Sequence, residues 1–418
     1  MKIVLLSFLV VLICNMEVFA GGYQLNLFGI RQIGMAHIGA PMANDPTVMA
    51  FNPGASGFLS QSELVAGSSF TFINTGYQAQ TPSTYESQTE ARVNFPFNFH
   101  GAWRSESSGL AAGLSVYTPY GSSVVWPEGW KNQFLLQQIS LQSVYVQPTV
   151  GYKINEYIGV GAGLIYGYGS VNLQRALPVA NQDGRYGRAE LDGSATGIGF
   201  NVGVMIRPVP EFQIGAGYRS QIDMEVEQGD ADFRVASSLE SFFPQNNTFD
   251  ASLPLPEVWT LGVAGSVTPD LTLAAQADFT GWSSYEELAF DFDENTEQLQ
   301  DSREARDYED TWIFRLGAEY QLNERVQLRA GSYYDQTPVQ DGYMTPETPD
   351  SDRIAFSAGL SSELTDQLSV NFSLLYIRSQ QREQTEAEVQ QAGTTGAVPV
   401  GTFQTIAWIP GISFSYSY

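Results

Sequence analysis

The chain has 418 residues, with 45 acidic against 20 basic side chains and a formal net charge of −25. Such a surface repels phosphates and excludes nucleic-acid binding. Aromatic residues make up 13%, charged residues only 16%, glycine fills 40 positions, and mean hydropathy is −0.14. Membrane strands that alternate lipid-facing apolar residues with wet ones average out in this way.

Residues 1–20 read as an export signal. Lys2 supplies a positive start, residues 3–13 are apolar, and Val18-Phe19-Ala20 sets small residues at two positions before Gly21. The run is too short for a membrane helix, which needs about 18 apolar residues, and Asn15 interrupts it. Ile13 is too bulky to precede a lipoprotein cleavage at Cys14. Removing residues 1–20 takes away Cys14, and with it disulfides, thiol catalysis and Cys-rich metal sites.

Residues 21–60 do not alternate, and hold glycine-rich and helical-looking pieces. Leu25, Leu27, Phe28, Ile30, Ile33, Met35 and Ile38 make this stretch apolar enough to require burial. A wide β-barrel leaves space in its lumen, so an internal hatch over 21–60 is expected, followed by a barrel over 61–418.

From the middle of the chain to its end a period of two dominates. Val370, Phe372, Leu374 and Tyr376 alternate with Ser369, Asn371 and Ser373. Trp312, Phe314, Leu316, Ala318 and Tyr320 oppose Thr311, Arg315, Gly317 and Glu319, with Ile313 out of phase. Strands with one apolar and one polar face read like this. Short breaks fall at 106–108, 154–156, 208–210, 268–270, 322–324 and 364–366. Long polar connections lie near 79–91, 118–137, 175–188, 237–253, 294–307, 341–350 and 386–400. Tight turns on one side and long loops on the other mark an outer-membrane barrel.

The strands follow as 63–78, 92–106, 108–118, 138–154, 157–174, 189–207, 211–235, 254–267, 271–293, 308–322, 325–340, 351–363, 367–385 and 401–418. That is an all-β fold, a 14-stranded antiparallel transmembrane β-barrel with an N-terminal hatch in its lumen. An even count puts both barrel ends on the short-turn, periplasmic side. Several strands exceed the ~9–11 residues that cross a bilayer, so the barrel projects beyond it. Phe414, Tyr416 and terminal Tyr418 share one face, like the signal read by the outer-membrane assembly machinery.

Several motifs, in order, now carry a resemblance. Gly21-Gly22-Tyr23-Gln24-Leu25-Asn26, Asn52-Pro53-Gly54-Ala55, Tyr117-Thr118-Pro119-Tyr120-Gly121 and Leu255-Pro256-Glu257-Val258-Trp259 are four of them. Asp278-Phe279-Thr280-Gly281-Trp282-Ser283, Pro338-Val339 and Thr348-Pro349-Asp350-Ser351-Asp352-Arg353 complete the set. Over essentially the whole mature chain the sequence resembles the outer-membrane long-chain fatty acid and aromatic hydrocarbon transporter family (FadL/TodX-like). Gly54 departs from that family's Asn-Pro-Ala hatch motif by an insertion. The resemblance implies passive uptake of hydrophobic compounds, capture on an outer groove, an interior pocket touching the hatch, and sideways exit near the third strand.

The hatch contribution to that pocket is assigned to Leu27, Phe28, Ile30 and Met35, with Asn52 and Pro53 from the motif; wall packing is their ordinary alternative. Trp126, Trp130, Phe134 and Leu135 in the third-strand loop either form a greasy landing site or pack on neighbouring loops. Pro119 and Gly121 are the lateral-gate candidates, since proline lacks a ladder donor and glycine permits bends. Arg175 is the carboxylate head-group candidate by resemblance. Arg315 and Arg329 also point inward, but Glu319 and Asp335 share their faces and suggest ion pairing.

His37 and His100 are the only histidines, and no local sequence flags a catalytic serine, so no enzyme is expected. Neither cofactor nor metal is implied. Acidic segments 291–310 and 381–388 read as solvated loops, or as carboxylates sharing divalent cations with outer-membrane lipid. The remaining readings are a general diffusion porin for polar solutes and a surface adhesin. A complete hatch makes a monomer sufficient.

Overall fold

The computed structural model describes residues 21–394 and 398–418; the expected export signal lies outside these described residues. The wall begins with β1 (Glu63–Ser69, resumed at Thr71–Ala79), β2 (Phe97–Arg104), β3 (Leu110–Tyr117, resumed at Gly121–Val125), β4 (Gln138–Lys153) and β5 (Ile158–Ala180). It continues with β6 (Tyr186–Val209), β7 (Phe212–Arg219, resumed at Ile222–Arg234), β8 (Asn247–Leu255 and Val258–Thr268) and β9 (Leu271–Thr280, with Glu287–Phe292 above). The remaining strands are β10 (Ser302–Ala305 and Thr311–Asn323), β11 (Val326–Asp335), β12 (Arg353–Glu363), β13 (Leu368–Ser379) and β14 (Gly401–Ser417). Each strand pairs antiparallel with the next, and β14 returns to β1 through Glu63↔Ser417 and Phe72↔Trp408, closing a 14-strand barrel.

The six tight turns fall where the breaks in alternation place them. The long connections carry more order than expected. Asn247–Leu255, which begins inside the expected loop 237–253, ladders with the upper half of β7 from Ile222↔Leu255 to Ala231↔Asn247. The 386–400 connection contains α3 (Glu386–Ala392), started by a Thr385–Glu388 capping box and stopped by Gly393 at φ 66°. (Here α1 is Ile30–Ile33 and α2 is Val48–Phe51.) Expected strand 9, 271–293, breaks at Gly281, where Trp282–Ser284 forms a 3-10 turn. Expected strands 2 and 13 are interrupted rather than lost above, Val93–Asn94 laddering with Phe72 and Thr71 and Arg382–Gln384 with Phe403 to Gly401, while expected strand 11 ends at Asp335.

Alternation sorts the wall into two faces. Leu114, Val150, Leu164, Ile198, Phe314, Phe356 and Trp408 point outward and are exposed, whereas His100, Gln147, Asn201, Arg315, Ser361 and Asn371 point inward and are buried. A contiguous exposed apolar band of this size is stable only in lipid. Partway up, the polarity inverts. On β5 the outward Leu164, Tyr166 and Tyr168 give way to Ser170 and Asn172, while inward Gly167 and Gly169 give way to Val171 and Leu173. On β4 the outward Val144 gives way to Gln142, and the register aligns the two changes, Val144↔Tyr168 and Gln142↔Ser170. Above this line the barrel is wet outside and greasy inside.

Residues 21–59 run through the lumen, and none of them is exposed. Leu27, Ile30 and Ile33 pack on inward Ile313, Tyr333, Leu375 and Ile409, so the out-of-phase apolar residues of β10 and β13 form their seat. Wall glycines admit the segment's backbone. A Cβ at Gly161 would stand 2.5 Å from the Pro53 carbonyl, and one at Gly359 would stand 2.9 Å from the Gly34 Cα. Buried polar contacts add specificity: Arg315 donates to Ala36 O at 3.0 Å and Asn26 Oδ1 at 2.9 Å, and Arg31 meets Glu319 at 3.0 Å.

Candidate functional site

The site begins at a break in β3. Pairing between β2 and β3 ends at Asn98↔Tyr117, and the resumed half, Gly121–Val125, ladders only with β4. Pro119 has no N–H to continue the β2 ladder. The freed backbone is taken from inside: Leu25 N donates to Pro119 O at 2.8 Å, and Gly121 N donates to Tyr23 O at 3.0 Å. Ser143 Oγ donates to Tyr120 O at 2.9 Å and holds the break to β4. Residues 23–25 therefore act as an extra strand lying where β2 is missing. Near the gap the buried Asn98 amide and Thr118 hydroxyl have no partner among the described residues.

Directly above lies an apolar cavity of about 100 Å³. Its wall comes from the inverted inner faces of the upper strands, including Leu141, Leu173, Met224, Leu253 and Phe290. Tyr23 and Tyr120 form one side and Tyr285 another. Tyr23 meets Trp282 edge-on at 4.8 Å and donates to Pro254 O at 3.0 Å, so its ring is held in place. Burial pushes the Tyr285 hydroxyl up to about 12, which keeps it neutral beside this cavity. A second space of about 150 Å³ follows residues 22–27 along the other side of the gap, past Gly121 and Arg353. Both suit an apolar guest with one polar end.

The expected site residues divide. Leu27 and Gly121 line the second space, and Phe28 lines a smaller one beneath the first. Ile30 and Met35 pack against the wall and border none of these cavities. Asn52 works as a clasp: Oδ1 accepts from Gly54 N at 3.0 Å, and Nδ2 donates to Ala40 O at 2.9 Å and Val204 O at 3.0 Å. Pro53 opens the 3-10 turn Pro53–Phe58 against Gly161. Pro119 and Gly121 flank the β3 break. Trp126 and Trp130 are buried, stacked at 4.2 Å, and their indoles donate to Pro346 O and Leu136 O. Phe134 and Leu135 are half-buried, Phe134 meeting Tyr186 edge-on at 4.9 Å.

Arg175 stands on the inner face of β5, one step above cavity-lining Leu173, with Glu304 4.0 Å away. Arg315 pairs with Asp278 at 2.7 Å and Arg329 with Glu319 at 2.7 Å, while Asp335 pairs with Arg353 at 3.2 Å. Sequence reasoning missed Tyr23, Tyr120 and the inner faces of β4 to β9 as cavity wall. The signal was present in β4 and β5, where apolar residues change phase. It was hidden in β7, where even-numbered residues stay apolar but the break at Ser220–Gln221 turns them from outside to inside.

The architecture defines a class: an outer-membrane β-barrel filled from within by its amino-terminal segment, with a greasy chamber over a break in its wall. Residues 11–418 match the family described as outer membrane protein transport protein (OMPP1/FadL/TodX), and the chain belongs to that family. It is 21% identical to the long-chain fatty acid transport protein of Escherichia coli O6:H1, covering 98% of this chain and 97% of that one. It is 22% identical to outer membrane protein P1 of Haemophilus influenzae, covering 96% and 95%. Among solved structures, a Pseudomonas aeruginosa FadL homologue superposes with a TM-score of 0.82 at 19% identity, covering 95% of this chain and 99% of that chain. The Ralstonia pickettii toluene transporter TbuX gives 0.70 at 17% identity, covering 94% and 99%. These structural likenesses establish the fold. The protein is an outer-membrane transport protein of the Gram-negative type.

Proposed function

We propose that this barrel takes up hydrophobic compounds, long-chain fatty acids or related hydrocarbons, by passive transport gated by residues 21–60 acting as a hatch. The carrying observation is the apolar cavity above the membrane line, closed below by Tyr23 and Tyr120 beside the β3 break. A greasy molecule gains about 0.8 kcal/mol per CH₂ removed from water, so a dry chamber collects it. Beneath the chamber the lumen is polar and filled, with Arg329, Ser361 and Asn371 on its wall. An apolar guest therefore leaves more cheaply through the wall, between Pro119 and the top of β2, when residues 23–25 shift. Phe134 and Leu135 at the outer loop serve capture, Arg175 greets a carboxylate at the chamber's upper end, and Trp126 and Trp130 hold that loop together. Leu27 and Phe28 are the hatch residues that meet the guest, while Ile30, Met35, Asn52 and Pro53 seat the hatch.

No enzyme activity or cofactor enters this reading, and one chain suffices. Outer-membrane lipid and the assembly machinery are the remaining partners. The test is mass spectrometry of lipids and hydrocarbons that co-purify in mild detergent, alongside uptake by a strain lacking the protein. Bound apolar compounds and reduced uptake are expected. No bound compound and undiminished uptake would sink the proposal.

A further inference from the structure

Four arginines among the described residues are buried: Arg219, Arg306, Arg315 and Arg329. Three have carboxylate partners, Arg306 with Glu347 at 2.6 Å, Arg315 with Asp278 at 2.7 Å and Arg329 with Glu319 at 2.7 Å. Arg219, 8% exposed, has no carboxylate within ion-pair distance among the described residues. It donates to the Tyr120 hydroxyl at 3.4 Å and lies 5.7 Å from the centre of that ring. A hydroxyl and a ring face offset only part of a buried charge, whose desolvation costs several kcal/mol. A site that leaves such a cation without its anion is suited to a ligand that brings one.

The position fits that use. Arg219 ends the lower half of β7, and Met224 on the resumed half lines the apolar cavity. The guanidinium thus sits beneath the chamber, behind Tyr120. It borders a space of about 30 Å³ shared with Gln24, Phe28, His37 and Asp278. His37, 2% exposed, leaves its Nε2 without a partner among the described residues, and in the Nε2–H tautomer that atom is a second donor. Asp278 borders the same space, but Arg315 and Gln276 already engage it, Gln276 Nε2 donating to Oδ1 at 2.9 Å. The space has room for about one water. Tyr23 bounds the chamber and Gln24 the space below, so a shift of these two adjacent residues joins them.

We propose that Arg219, with His37, is an inner carboxylate site beneath the chamber, which makes this transporter select amphipathic carboxylates over neutral hydrocarbons. This names the substrate class of the uptake reading and rests on it.

The experiment uses the full mature chain in detergent, titrated with dodecanoate and with dodecanol, as wild type and as Arg219→Gln. Wild type is expected to prefer the acid, and Arg219→Gln to weaken acid binding by about tenfold or more, the scale of a hydrogen bond to a charged group. Dodecanol binding stays unchanged, and Arg219→Lys restores part of the preference. An Arg219→Gln protein that keeps its preference overturns the site. Equal wild-type affinity for acid and alcohol also overturns it, while leaving the uptake reading standing. Binding of neither removes both. Should Arg219→Gln fail to fold, wild type soaked with 12-bromododecanoate decides by the bromine and head-group positions. A carboxylate on Arg219 supports the site, and one held only elsewhere overturns it.

Discussion

Arg315 is almost wholly enclosed inside the barrel, yet it serves two masters, the β9 carboxylate of Asp278 and the lumen segment at Ala36 and Asn26. Replacing it by methionine leaves Asp278 charged and without its cation, with only the Gln276 amide still donating to it. Loss of one partner of a buried pair costs about 3–5 kcal/mol, and urea unfolding in micelles should show a loss of that size. A loss below about 1 kcal/mol would mean that water reaches Asp278 freely. A different balance holds at Asp352, in the loop before β12. Burial, and secondarily the neighbouring Asp350 charge, push its carboxyl up to about 8 against the opposing hydrogen bond from Thr337. Because the folded value lies above the unfolded one, the folded loop holds an extra proton between pH ~4 and ~8. Stability there should fall as pH rises through this window, and Asp352→Asn should flatten the dependence, as read by pH-dependent proteolysis of the loop. No difference between the two proteins would place Asp352 in water.

At the scale of elements, the informative contact is between a helix-poor segment and a glycine-bearing wall. Pro53 rests on β5 at Gly161. Gly161→Leu should leave strand pairing intact but lift the 3-10 turn off its seat, and single-protein conductance in planar bilayers should rise well above wild type. A variant as silent as wild type would show that the segment is held mainly elsewhere. None of this was legible beforehand, because a glycine in a strand reads equally as weakness, bend or close approach. The β3 break was half legible. Pro119 and Gly121 mark an interruption, but only the fold shows residues 23–25 supplying the missing neighbour. The aromatic loop was ambiguous for the opposite reason: stacking between Trp126 and Trp130 depends on the distant partners Tyr77 and Phe403.

For the whole molecule, the inversion of polarity along the wall is the organising fact. It sets the upper limit of lipid contact between Tyr168 and Ser170 on β5 and makes the chamber above that line dry. Leu164→Arg places a charge within the band and should cost about 2–4 kcal/mol, whereas Asn172→Arg, above the line, should cost about 0–1 kcal/mol. Comparable losses in lipid-vesicle folding assays would put the line elsewhere. Deleting residues 21–60 should turn a nearly silent barrel into a conducting one. Silence of that deletion would count against gating from within.

Strand number, turn sides, the lipid-facing residues and the apolar character of residues 21–60 were determined by the sequence itself. Each rests on local chemistry: a two-residue period, turn formers at fixed intervals, and a run of side chains that water rejects. The chamber was decided only by the tertiary structure. Its wall joins Tyr23 to strands as far away as Phe290, and a break such as Ser220–Gln221 reverses which face a side chain takes without disturbing the alternation. Which arginine has a counter-ion was settled the same way. Periodicity tells which side of a strand a charge occupies, but its partner stands on another strand, and only closing the barrel brings the two together or, at Arg219, leaves a cation with no carboxylate among the described residues.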